Sequence, residues 1–259
     1  MPDAHTLEIM YGVDYASSFE ADPGIVDPKS PQRVLDFLAR QPRGTFLDYG
    51  CGEGGLLAKA QEINWTAVGV ELDGGVARRV REKTGADVLA ASALPSSDPI
   101  ADVVHLGDVI EHLTDPDRDF PNILGLLKPG GYLIAQGPLE NNSSLFIQAV
   151  RLARSIKGTN GTEMAPYHVM LATSRGQRGF FKRFGLHEIE YSLEEVAWPA
   201  PACLRLGDLK RPRAVALFAL RRVSQMASAL RPQHWGNRYF YVGRFSGSLV
   251  AHAKDRAEK

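Results

Sequence analysis

The sequence predicts a doubly wound α/β domain, an open and mostly parallel β-sheet with helices on both faces. Three observations carry that expectation. Strand-like apolar runs alternate with helical segments between residues 45 and 138, as parallel βαβ units require. A glycine-rich turn, Gly50-Cys51-Gly52-Glu53-Gly54, joins the first strand to the first helix of that series. The chain has 259 residues, 44% of them hydrophobic, which is ample for one large core.

The elements follow in order. Residues 1–30 are mixed in character and carry the aromatics Tyr11, Tyr15 and Phe19. Ser30-Pro31 reads as a helix start, with Val34, Leu35 and Leu38 as its apolar face. TFLDYG is a buried strand, and Gly55 to Ile63 a helix. AVGVEL is the second strand, followed by a helix from Val76 to Thr84. ADVLAAS is a short third strand, and Asp102 to Leu106 the fourth. Phe120 to Leu127 reads as a helix that stops at KPGG, because Pro and Gly end helices. GYLIAQGP is the fifth strand. After Pro138 the rhythm breaks. Helices are expected at Leu145 to Ile156, at 174–184 and, inside an insertion at 197–236, at about Arg213 to Leu230. Strands are expected at LHEIEYSL and RYFYVGRF.

Composition excludes several classes. Lys plus Arg and Asp plus Glu both number 30, so the basic excess of a general nucleic-acid binder is missing. Cys51 and Cys203 fit no metal spacing, and the seven histidines are scattered, so no metal centre is expected. A reduced, cytoplasmic protein is the expectation, since no secretory pattern opens the sequence and no run reaches the ~18 apolar residues of a membrane span. Asn141-Asn142-Ser143, Asn142-Ser143-Ser144 and Asn160-Gly161-Thr162 match the glycosylation pattern and are read as chance.

The ligand is indicated by LDYGCGEGG. Glycines at such a turn let the backbone approach a bound molecule, and the following helix aims its N–H groups at it. Asp48 precedes the glycines, and Glu71 ends the next strand, where an acid can accept both hydroxyls of a ribose. Nicotinamide-binding folds share that acid but use G-x-G-x-x-G, whereas this chain has G-x-G-x-G with an acid in front. An acid there repels a pyrophosphate and suits an amino group. A nucleoside joined to an amino acid satisfies both ends.

These motifs, together with DVVHLGDVIEHL and LLKPGGYLI, resemble the class I S-adenosylmethionine (SAM)-dependent methyltransferases, most closely the branch of ubiquinone-type and sugar O-methyltransferases. The match spans residues 45–137 in the family's order. It implies a Rossmann-like, seven-stranded sheet whose last strand is antiparallel, in a single domain over 1–259. Within it, 1–30 would cover the cofactor and 31–138 would bind it. Residues 139–172 and 197–236 would form substrate-side insertions and a lid. The resemblance assigns SAM to Asp48, Gly50, Cys51, Gly52, Gly54, Glu71, Leu72, Ser92, Ala93, Leu106 and Gly107. It places His112 and His168 at the chemistry, and Tyr11, Tyr15, Glu140 and Tyr167 toward the substrate.

Each residue also has a plainer reading. His168 and His112 could serve as bases, since imidazole titrates near neutrality, or could hold loop and helix in place. His105 reads as a half-buried core residue, and Cys51 as a small residue that fits. Asp108 and Glu111 read as surface or helix-start charges. Arg205 to Arg231 carries seven Lys or Arg and one Asp. It reads either as a packing or lid helix or as one that meets a membrane or lipid-linked substrate. The expected function is methyl transfer from SAM to a small-molecule hydroxyl on a sugar, phenolic or specialised metabolite. Alternatives are N- or C-methylation on this scaffold and a non-catalytic SAM-binding protein. The acceptor's identity and the oligomeric state do not follow from these residues.

Overall fold

The computed structural model describes residues 30–91, 99–139, 141, 142, 144–156, 168–196, 204 and 206–247. Helix α1 spans Ser30–Ala39. The alternation then runs β1 Thr45–Tyr49, α2 Gly55–Glu62, β2 Thr66–Glu71, α3 Gly74–Thr84, β3 Asp87–Ala90 and β4 Ala101–Gly107. It continues with α4 Pro116–Leu124, β5 Leu127–Pro138, α5 Leu145–Ile156, α6 Ser174–Arg183 and β6 Leu186–Glu194. The last elements are α7 Pro212–Leu230, α8 Pro232–Trp235 and β7 Arg238–Phe245.

One seven-stranded sheet results, in the order β3-β2-β1-β4-β5-β7-β6. β1 pairs in parallel with β2 and β4, and β4 with β5, while β7 runs antiparallel between β5 and β6. Alternating residues of each strand feed the two faces. Phe46, Val103, Ile134, Phe240 and Val242 pack under α1, α2 and α3. Leu47, Val104, Leu133, Tyr239 and Tyr241 pack under α4 and α6, where Phe181 stacks on Tyr241 with ring centroids 3.9 Å apart. Burial on both faces explains why the central strands read as continuous apolar runs.

Two expectations need correction. The helix expected at 120–127 begins at Pro116 and ends at Leu124. Asp115 caps it by accepting from Arg118 N, and Pro116 occupies the first turn, where a missing N–H costs nothing. KPGG does not lie outside the sheet. It lies within β5 as an irregularity opposite Ala101 and Val103, with Gly130 at φ +81°.

The second correction concerns the C-terminal half of α7, where polar side chains turn inward. It buries Arg221, Ser224 and Ser228 and shows Val223, Met226 (70% exposed) and Leu230 (83%) to solvent. One of the basic residues counted toward a solvated edge is therefore internal. Arg221 Nη1 donates to Glu195 Oε1 at 3.0 Å, and both side chains are 1% exposed. Ser224 Oγ donates to the same carboxylate at 2.8 Å and accepts from Phe146 N at 2.9 Å. The guanidinium also lies 3.5 Å from the centre of the Phe146 ring.

The excursion that contains α7 begins and ends at one point. Asn237 N donates to Glu194 O at 3.0 Å, while its side-chain amide exchanges bonds of 2.8 and 3.0 Å with the backbone of Val196. Asn142 is a second tie. Its amide donates to Gly236 O and accepts from Ser174 N, so this buried side chain is occupied in packing rather than open to glycosylation.

Removing one partner of a fully buried ion pair strands the other in low dielectric, at a cost of about 3–5 kcal/mol. Arg221→Ala should therefore lose about that much in urea unfolding, whereas the paired Arg221→Met/Glu195→Met should recover most of it. A loss under 1 kcal/mol for Arg221→Ala would show that the pair does not hold α7.

Candidate active site

β1 and β4 lie side by side at the middle of the sheet, and both of their carboxyl ends turn sharply. After β1, the N–H groups of Gly50 and Cys51 both donate to Val70 O at 2.8 and 3.1 Å. That pins the glycine turn to β2. Gly54 (φ +73°) caps α2, and a Cβ there would strike Val80 Cγ1 at 2.5 Å, so only glycine lets α2 and α3 close together. Gly52 (φ +48°) differs, because a Cβ on it meets nothing within 4 Å. Its surroundings are open, as a cradle for a ligand must be.

Two acids flank this turn. Glu71, at the end of β2, accepts from Gly52 N at 3.0 Å and from Leu72 N at 2.8 Å. Each carboxylate oxygen keeps a lone pair for a hydroxyl donor. Asp48 is buried and bonded at 2.7 Å to Nδ1 of His105 on β4. His105 is thus buried outright rather than half-buried, and it orients the acid. The thiol of Cys51 is pushed up to about 12, first by burial and then by Asp48 and Glu71. The turn therefore sits in a negative field, which favours a cationic ligand.

After β4, Asp108 takes positive φ (+54°), and its carboxylate forms a bidentate pair with Arg238 at 2.7 Å for each bond. Val109 follows, and its side chain closes the floor beneath Gly50, where a Cβ would meet Val109 Cγ2 at 2.9 Å. Ile110–His112 form a short 3₁₀ turn. The glycine turn and the histidine turn are therefore neighbours. Val169 N and Met170 N both donate to Glu111 O, at 2.7 and 3.0 Å. These two bonds dock the chain so that the rings of His168 and His112 meet edge to face, with centroids 4.9 Å apart.

Glu111 is 5% exposed, so it is a buried group and not the surface or helix-start charge that its position suggested. Beside it lies the phenol of Tyr239, held far above its ordinary titration range by burial first and then by Glu111 and Asp108. Sequence reasoning also missed the Asp108–Arg238 pair, whose members are 130 residues apart.

Among the expected cofactor residues, Asp48, Gly50, Cys51, Gly52, Gly54, Glu71, Leu72, Leu106 and Gly107 gather at the carboxyl ends of β1, β2 and β4. Tyr11, Tyr15, Ser92, Ala93, Glu140 and Tyr167 lie outside the described residues. The cluster suits SAM. Leu72 is a large apolar side chain left 71% exposed beside Glu71, as a surface for adenine would be. Open space at Gly52 and the acidic field would accept the methionine end.

Comparison with known proteins agrees. The family model for a methyltransferase domain matches residues 27–190. A ubiquinone biosynthesis O-methyltransferase of Dinoroseobacter shibae is 36% identical over 112 residues, covering 40% of this chain and 44% of that protein. The chain spans between 33% and 55% of the length of the curated relatives it matches. The fold is similar to phosphoethanolamine N-methyltransferase 2 of Haemonchus contortus in complex with SAM. There the TM-score is 0.58 at 16% identity, over 92% of this chain and 59% of that one. It is also similar to geranyl diphosphate C-methyltransferase of Streptomyces coelicolor A3(2), with TM-score 0.55 at 12% identity, over 90% and 86% of the two chains.

Gly52→Val should fold, with a strain of roughly 1–2 kcal/mol for positive φ, and should lose SAM binding in calorimetry. A folded variant with unchanged affinity would remove Gly52 from the site. In the native protein Cys51 should resist iodoacetamide at pH 8, where a group titrating at about 12 is ~0.01% thiolate. Peptide mass spectrometry should show its alkylation at least ~100-fold faster in denaturant. Equal rates would mean that Cys51 is neither buried nor in a negative field.

Proposed function

The chain belongs to the class I SAM-dependent methyltransferase family, and on that premise we propose that it methylates a hydroxyl of a small molecule. The observation that carries this reading is the adjacency of two turns. Val109 touches both, with its side chain beneath Gly50 and its carbonyl accepting from His112 N at 3.0 Å, and His112 in turn meets His168. When bound, SAM supplies a methyl group on a sulfonium, a leaving group that needs no protonation. What remains for the protein is to hold the acceptor in line and to ease its proton away.

The residues divide that work. Glu71 and Leu72 would hold the nucleoside end, while Asp48, oriented by His105, would draw the amino group. His112 and His168 would activate the acceptor oxygen, an effect worth about 10²–10⁴ in rate for such groups. The D. shibae relative is named as an O-methyltransferase. N- and C-methyltransferases share the fold and define the alternatives for the acceptor atom.

The exposed face of α7 adds a reading of the acceptor's setting. Val223, Met226 and Leu230 are joined in exposure by Leu206, Leu209, Leu152 and Ile156. Arg211, Arg213, Arg222 and Arg231 are on the same segment. Apolar and basic groups together suit an anionic membrane surface and a lipid-linked acceptor. No helix among the described residues is long and apolar enough to cross a membrane.

The direct test supplies methyl-tritiated SAM with a panel of phenols, sugars, amines and carbon acids. Label should pass to hydroxyl acceptors. His168→Ala should lower kcat about 100-fold or more with SAM affinity unchanged. Transfer only to amines or carbon would replace the reading of the acceptor atom, and SAM binding without any transfer would favour a non-catalytic role. Cosedimentation with phosphatidylglycerol vesicles should weaken in Met226→Glu/Leu230→Glu and at high salt. Equal sedimentation with neutral vesicles, or none, would end the membrane reading.

A further inference from the structure

We propose that His105 binds the cofactor directly, its Nε2 accepting a hydrogen bond from the α-ammonium group of SAM. The inference rests on the reading that the amino-acid end of SAM lies at Asp48 and the glycine turn. A histidine inside an apolar strand reads as core, and the bond to Asp48 uses only one side of its ring.

That side is fixed. Asp48 and His105 face each other in the register of β1 and β4, and Nδ1 lies 2.7 Å from Asp48 Oδ1. The ring of Phe46 lies alongside, with centroids 6.3 Å apart and planes 28° from parallel. A carboxylate has no proton to give, so the shared proton belongs to Nδ1. In the neutral ring Nε2 then carries a lone pair and no hydrogen, and it can only accept.

The far side of the ring lacks what it needs. Nε2 is buried and has no hydrogen-bond partner among the described residues, and the whole side chain is only 4% exposed. A buried acceptor in that state calls for an explanation. Its surroundings supply one. A Cβ on Gly107 would lie 2.8 Å from His105 Cε1 and 3.3 Å from Nε2. The imidazole therefore leans on the bare backbone of Gly107, the last residue of β4, at the level where the sheet ends. The carboxamide of Gln136 reaches the same point from β5, 3.4 Å from it. Gln136 is unbranched and turns about its own torsions, so it can make way for a ligand group while the strands keep their places.

The donor that fits is an ammonium. The carboxylate of Asp48 attracts any cation, but charge alone does not tell the ammonium of SAM from its sulfonium. The sulfonium has no N–H. A lone pair on Nε2 selects the group that has one, and so fixes which part of the cofactor comes to the seam between β1 and β4. His105 thereby sets the direction of the methionine arm, and with it the place at which the methyl group is offered.

His105→Asn keeps an N–H at the position of Nδ1, and so the bond to Asp48, but removes Nε2. Calorimetry on the full chain should show SAM affinity reduced about 10-fold or more, the share of a hydrogen bond to a charged group. A second ligand is the S-adenosyl sulfonium with a 3-carboxypropyl arm, which lacks only the amino group. It should bind the wild type and the variant equally. Equal losses for both ligands, or no loss for SAM in a folded variant, would overturn the contact. In the wild type, long-range proton–nitrogen-15 spectra should show His105 Nε2 unprotonated, and moved upfield by SAM but not by the amine-free analogue. A doubly protonated ring, or an Nε2 resonance that SAM does not move, would overturn it without any variant. Gly52→Val separates this inference from the reading beneath it. Binding lost in Gly52→Val but complete in His105→Asn leaves SAM at the glycine turn and removes only the His105 contact, whereas complete binding in both removes the site reading as well.

Discussion

Two parallel strands that stop at the same level set the terms for the whole site. β1 and β4 pair from Phe46–Val103 to Tyr49–Leu106, and then both chains leave the sheet through a residue of positive φ, Gly50 on one side and Asp108 on the other. The order of strands reverses here, since β2 and β3 lie beyond β1 while β5, β7 and β6 lie beyond β4. The two loops must diverge, and a crevice opens between them. The buried Asp48–His105 bond spans this seam. It locks the level of the strands against each other just below the opening, so that the acids, the glycines and the histidines keep a fixed relation.

The distribution of charge follows from that geometry. Carboxylates gather on the glycine side, where burial first and then Asp48 and Glu71 raise the Cys51 thiol. On the other side Asp108 is answered by Arg238, and Glu111 is turned inward toward Tyr239. One flank attracts a cation from solvent, and the other presents imidazoles. Val109 joins the two flanks, with its side chain beneath Gly50 and its carbonyl accepting from His112 N at 3.0 Å.

Much of this was legible before the fold was known, and the reason is locality. The glycine turn constrains backbone angles over five residues, so sequence alone reveals it. Glu71 was found because it closes the strand after the glycine turn, where an acid can accept ribose hydroxyls. Leu145–Ile156 and Arg213–Leu230 follow helical periodicity closely, and the long helix gained only Pro212. What escaped depends on distant partners. Glu111 reads as a surface acid because nothing near it in sequence shows Gly137 or Tyr239 above it. Arg221 reads as part of a basic edge because Glu195 lies 26 residues earlier. The KPGG segment looked like a boundary since Pro and Gly usually end elements, but an irregular stretch of β5 tolerates both. His112 and His168 were each placed by family resemblance, and no rule of spacing joins residues so far apart.

The paired feet of the α7 excursion have a consequence for how such a protein can diversify. Asn237 closes the path from Val196 back to the sheet with three hydrogen bonds, so β6 and β7 keep their register whatever lies between. A stem of that kind works like a socket. Longer, shorter or differently charged segments can be exchanged through it without disturbing the pairing of β6 with β7. Loop closure also costs little more as a connection lengthens. Sequence change can then concentrate at one surface position, while the sheet beneath is inherited unchanged.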